Sequence, residues 1–104
     1  MRRQLEAVRD VLVTAGDEYL AGLVSEALAG SDDSVREFLV SNELWGGPGS
    51  VADQAGMTGL RDDSRRAIEA ALVDLGMAQI RAGIVNVRTA MWVGVFQTWQ
   101  RDGI

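Results

Sequence analysis

Apolar residues recur every three or four positions along nearly the whole chain. Leu5, Val8, Leu12 and Ala15 fall on one stripe, so residues 2–15 are predicted to form an amphipathic helix. Gly16-Asp17 makes a weak break, and Tyr19, Leu20, Leu23, Val24, Ala27 and Leu28 continue the pattern as far as Gly30. Glycine tolerates the left-handed backbone that often ends a helix. The following Ser31-Asp32-Asp33-Ser34 supplies side-chain oxygens for free N–H groups, with both carboxylates near the positive end of the next helix dipole. That helix carries Val35, Phe38 and Leu39 and is expected to end near Asn42.

The segment SNELWGGPGSVADQAG, residues 41–56, breaks the rhythm. Trp45 runs straight into Gly46, Gly47, Pro48 and Gly49. Ser50, with Asp53 three residues later, has the form of a capping box with aspartate in place of glutamate, which predicts a short helix over 51–56. Arg61-Asp62-Asp63-Ser64 has the look of another N-terminus, and Ile68, Leu72 and Leu75 open a long helical region reaching toward Gln100. Periodicity leaves open whether that region is continuous or bends near Gly83. Ile84-Val85-Asn86-Val87 alone would pass for a strand, but Ile84, Val87, Met91 and Val95 keep helical spacing, so this stretch too is predicted as helix. The expected fold is all-α: a compact bundle of about four to six helices with a long C-terminal helical region, residues 1–104 making one domain.

If that region is one helix, Gly76, Gln79, Gly83, Asn86, Ala90 and Gln97 share a face at heptad-like steps. Beside it runs an apolar face of Val73, Met77, Ile80, Ile84, Val87 and Met91. Small residues at every seventh position let another backbone approach closely, and the amides between them then need hydrogen-bond partners. The stripe is expected to be a close-packed seam, either within the chain, with the first helical region as partner through Ala15, Gly22 and Ala29, or across a dimer.

Composition narrows the chemistry by subtraction. The chain has no cysteine and no histidine, and all ten basic residues are arginine. Thiolate nucleophiles, cysteine-bound zinc, the commonest general base and Schiff-base lysines are therefore absent. Two arginines open the chain without an apolar core behind them, so no signal peptide is expected. No apolar run is long enough for a membrane span, and the expected location is cytoplasmic. Residues 1–60 hold four Arg against ten Asp/Glu, whereas residues 61–104 hold six against five. An acidic half disfavours wholesale phosphate binding, so no nucleic-acid partner is expected.

Several constellations remain as candidate chemistry. Gly46, Gly47, Gly49 and Ser50 before a helix could offer N–H groups to an anion, but a P-loop needs a lysine and a dinucleotide loop needs a preceding strand. VADQAGMT, residues 51–58, has the small residues, Ala55-Gly56 turn and Thr58 cap of a helix-turn-helix opening. Its recognition helix would begin on Gly59 and carry Asp62 and Asp63 toward phosphates, with Arg61, Arg65 and Arg66 in compensation. Asp32/Asp33 and Asp62/Asp63 are explained as helix caps, and Glu37, Glu43 and Asp53 would form a carboxylate site only if the fold brought them together. Trp92, Phe96 and Trp99 share one broad face of the last helix, with Arg88 a turn earlier and placed to stack on Trp92. Core packing is one reading of these aromatics; a protein-recognition surface is the other.

With SNELWGGPGSVADQAG and NVRTAMWVGVFQTW in view, the chain resembles a group of small uncharacterised bacterial proteins over residues 35–100. That resemblance implies no activity and transfers no site residue. The short, acidic, all-helical build is also similar to many immunity proteins that neutralise bacterial toxins. The expectation is a non-enzymatic helical protein without cofactor or metal. It would work through protein–protein contact, with an immunity-type or regulatory role and a protein partner or homodimer. Its candidate interaction residues are Trp45, Gly76, Gln79, Gly83, Asn86, Arg88, Trp92 and Trp99. The rival expectations are a divergent helix-turn-helix DNA binder and an anion-binding glycine loop.

Overall fold

The stripe of Leu5, Val8 and Leu12 becomes the buried face of α1 (Arg2–Thr14) in the computed structural model, which describes residues 1–57 and 62–103. Six further helices follow among the described residues: α2 (Glu18–Ala29), α3 (Asp32–Leu39), α4 (Asn42–Trp45), α5 (Val51–Met57), α6 (Asp62–Ala82) and α7 (Thr89–Asp102). No described residue is in a strand, and the fold is an all-α bundle. The long helix α6 touches α1, α5 and α7, while α2 lies against α1 and leads through α3 to α4. One apolar cluster runs through all seven, with Leu12, Leu44, Trp45, Leu72, Leu75 and Phe96 among its most buried members. Each such side chain contributes about 1.5–3 kcal/mol by leaving water.

The breaks between helices have local causes. Gly16 takes φ +80°, its N–H donates to the Val13 carbonyl, and the Asp17 N–H donates to Leu12 O at 3.0 Å. These are the paired bonds of a Schellman cap, and they turn the weak break into a firm stop. Asp17 then caps α2 by accepting the Leu20 N–H at 3.1 Å. Tyr19, read as part of the apolar stripe, is 73% exposed. Gly30 ends α2 in extended rather than left-handed backbone; a Cβ there would crowd the Ser34 side chain. Ser31 caps α3 by accepting from Ser34 N at 3.2 Å. This helix ends at Leu39, earlier than expected, because a separate single turn, α4, takes over residues 42–45.

The largest difference lies at Gly83. Its φ of +72° ends α6, with Gly83 N donating to Ile80 O and Ile84 N to Gln79 O at 3.0 Å, a second Schellman cap. Residues 84–88 are irregular and α7 starts afresh at Thr89. Ile84-Val85-Asn86-Val87 is therefore not helix, and the heptad stripe does not exist as one face. Gly83 is exposed, with no atom within 4 Å of a Cβ built on it, and Ala90 and Gln97 point to solvent. Gly22, the proposed counterpart on the first helical region, is exposed as well. The apolar face beside the stripe survives only in part: Val73, Met77 and Ile84 pack against the core, whereas Ile80, Met91 and above all Val87, at 95%, are exposed.

Candidate functional site

Trp45 organises the site. The single turn of α4 carries its indole into full burial beside α6. Gly76 makes room: a Cβ there would lie 3.2 Å from Trp45 Cη2 and would overlap Val93 Cγ2 of α7. The close-packed seam thus exists, but at Gly76 alone and with α4 and α7 as partners. Polar groups lock the indole on two sides. Trp45 Nε1 donates to Gln79 Oε1 at 3.0 Å, and Trp92 Nε1 donates to the Trp45 carbonyl at 3.1 Å. Trp92 stacks on Phe96 at 5.4 Å between centroids, and Trp99 meets Phe96 edge-on at 5.8 Å. The aromatic face of α7 is therefore largely core packing, with Trp92 and Trp99 half-buried.

Gln79 is a fully buried amide with every bond satisfied in kind. Its Nε2 donates to Leu39 O at 2.8 Å and to Ile84 O at 2.9 Å, while its main-chain carbonyl accepts the Ile84 N–H. It therefore joins the end of α3, the indole of α4 and the turn after α6. Asn86 does the matching work from the loop. Its Nδ2 donates to Val40 O at 2.9 Å and Asn42 Oδ1 at 3.0 Å, and its Oδ1 accepts the Arg88 N–H at 2.9 Å. Asn86 N donates to Thr89 Oγ1 at 3.0 Å, closing the entry to α7. Arg88 occupies the N-cap position of α7 with its side chain exposed. Both amides find partners, as expected, but through a loop rather than along a helix face.

The two amides brace an end of the bundle that displays apolar side chains. Val85 and Val87 flank Asn86 and are 44% and 95% exposed. Met91 on the first turns of α7, Ile80 beside Gln79, and Val40, whose carbonyl Asn86 holds, are each more than a third exposed. Periodicity had placed Ile80, Val87 and Met91 on one apolar helix face, and the break at Gly83 divides that face.

Most N–H groups of the glycine loop are satisfied within it. Gly46 N donates to Asn42 O at 2.9 Å, Ser50 N to Gly47 O at 3.1 Å, and Gly49 N to Asp53 Oδ2 at 3.0 Å. Ser50 Oγ accepts from Asp53 N at 3.1 Å and donates to Gly46 O at 2.9 Å, so the Ser50 half of the expected capping box forms, while the Asp53 carboxylate takes the Gly49 N–H in place of that of Ser50. Three N–H groups that an anion would need are thus committed within the loop. Asp53 is absorbed in this cap, whereas Glu37 and Glu43 line a groove together with Glu26. Of the helix-turn-helix reading, Thr58, Gly59 and Arg61 lie outside the described residues.

One residue escaped the sequence reading. Glu69 on α6 is fully buried, both of its carboxylate oxygens lack a hydrogen-bond partner, and Arg65 Nε stands 3.9 Å away. Burial pushes its pKa above the ordinary carboxylate value, and the charges of Arg65 and Arg66 pull it part of the way back. A signal was present: Glu69 stands three residues before Leu72 and seven before Gly76, on the buried stripe of α6.

Among the described residues no helix is long and apolar enough to cross a membrane. Comparison with family models, curated proteins and solved structures finds no match to this chain.

Proposed function

We propose that this chain is a non-enzymatic accessory protein, of immunity or regulatory type, that acts by binding another protein through the apolar end around Asn86. The observation that carries this reading is Val87, 95% exposed on a loop whose backbone is fixed on both sides. A solvated apolar side chain costs nothing alone, and single ones are ordinary. Five of them at one end, on a braced rather than a mobile support, form a surface that loses little entropy on docking. Trp45, Gly76, Gln79 and Asn86 then serve the interaction indirectly, by holding that surface in shape.

The test is a photo-crosslinking amino acid installed at Val87 in cells, with one at Val13, 60% exposed on α1, as the control. The expected result is one protein, or a second copy of this chain, captured at Val87 and not at Val13. Its binding to the purified chain should be lost in Val87→Asp and kept in Val13→Asp. Equal capture at both positions, or a purified complex indifferent to Val87→Asp, refutes the reading.

A further inference from the structure

A second face carries a different surface. Helices α2, α3 and α4 enclose an open groove of about 470 Å³, with Leu23, Ala27 and Phe38 on its floor and Glu26, Glu37 and Glu43 on its rim. The three glutamates are exposed and make no ion pair or hydrogen bond with any described residue. Arg36 is the sole basic residue between 17 and 57, where eight Asp/Glu give a net charge of −7, while the rest of the chain carries +2. The acidic excess of the protein is thus concentrated in the stretch that builds this groove. Like charges set around one opening repel, and no described residue neutralises them. Among the described residues no three carboxylates are arranged to hold a metal ion, so these are spread along the groove instead of meeting at a point.

Charge and shape together define what fits. An apolar floor takes an aliphatic side chain, and separated carboxylates on the rim take cationic groups on either side of it. We propose that the groove receives a basic segment of a partner protein, in which arginine or lysine side chains flank an apolar one. This rests on the reading of the chain as a protein-binding module, but it uses another face from the apolar end at Asn86.

The probe is a short fluorescein-labelled peptide of arginine and leucine on an alanine background, followed by anisotropy at physiological salt. Its counterparts carry citrulline for arginine, or serine for leucine. The arginine–leucine peptide should bind, the citrulline peptide should not, and the serine peptide should bind more weakly. Glu26→Gln, Glu37→Gln and Glu43→Gln combined should weaken binding by about tenfold, since each exposed ion pair adds a few-fold. Asp10→Asn, Asp74→Asn and Asp102→Asn combined, on three helices that do not line the groove, change the net charge equally and should shift it by less than about twofold, because distant charges are screened. Val87→Asp should leave peptide binding intact, so failure of the groove and failure of the apolar end are read separately. Absence of binding to the unaltered chain, equal losses in the two triple variants, or indifference to the serine change overturns the proposal.

Discussion

Replacing Gln79 by methionine isolates the polar lock at the centre of the bundle. Methionine nearly matches the volume of glutamine, so no cavity opens and the packing against Trp45 survives. What disappears is the acceptor for Trp45 Nε1 and the donor to Leu39 O, both buried, together with the half-buried bond to Ile84 O. An orphaned buried group costs about 1–3 kcal/mol, so the two fully buried ones sum to about 2–6 kcal/mol. The thioether returns about 1 kcal/mol of apolar burial, which leaves a net loss centred near ~3 kcal/mol. That is a large share of the ~5–15 kcal/mol that holds a domain folded. Urea unfolding followed by tryptophan emission reads it directly. With a slope of about 1–3 kcal/mol/M, the midpoint should fall by about 1–3 M at an unchanged slope. Trp45→Phe removes the donor that Gln79→Met orphans. The double variant should therefore be less destabilised than the two single changes added together, by about 1 kcal/mol. A Gln79→Met unfolding free energy within about 0.5 kcal/mol of the parent, or strict additivity in the cycle, refutes the lock.

Gly76→Ala should destabilise by about 1–3 kcal/mol, although alanine gains nearly 1 kcal/mol in helix propensity, because the new Cβ overlaps Val93. Adding Val93→Ala should recover part of that loss in thermal unfolding, and no recovery would mean that the seam is not the cause. For Glu69, burial raises the folded-state pKa above the ordinary value of 4.5, so the folded chain holds this proton to higher pH than the unfolded one. Its contribution to stability is therefore present at low pH and lost as pH rises through the folded-state value. Glu69→Gln should gain on the parent as pH climbs from about 4 to about 7, and a difference that is flat or falls with pH would contradict the buried, weakly paired carboxylate.

Local signals in the sequence were read well where a residue acts on its own neighbours. Ser31 and Ser50 cap the helices expected of them, and the α1 stripe is buried as its spacing requires. Trp45 is buried, as a tryptophan wedged between helix and glycine loop suggests, yet its partners on α6 and α7 are distant in sequence and leave no periodic trace. The misreading came from periodicity crossing Gly83. Spacing of three, four and seven residues persists whether or not the backbone is helical, and only the conformation of one glycine decides between the two. Once Gly83 turns left-handed, Ile84 and Asn86 leave the helix face, and Val87 moves from the predicted apolar face into solvent.

That turn also explains why one amide is buried at this end of the bundle and a second bridges its surface. A helix running through Gly83 would satisfy its own carbonyls and leave Gln79 and Asn86 without work. With α6 stopped there, the carbonyls of Leu39, Val40 and Ile84 all lie at junctions where helices end, and each is met by a side-chain amide. The apolar groups displayed at that end follow from the same geometry. Only six residues separate α6 from α7; Ile84 packs back against the core and Asn86 turns inward to Val40 and Asn42, which leaves Val85 and Val87 facing outward. The polar lock and the exposed valines are therefore one device: the amides fix the loop, and the fixed loop offers Val85 and Val87 to whatever binds.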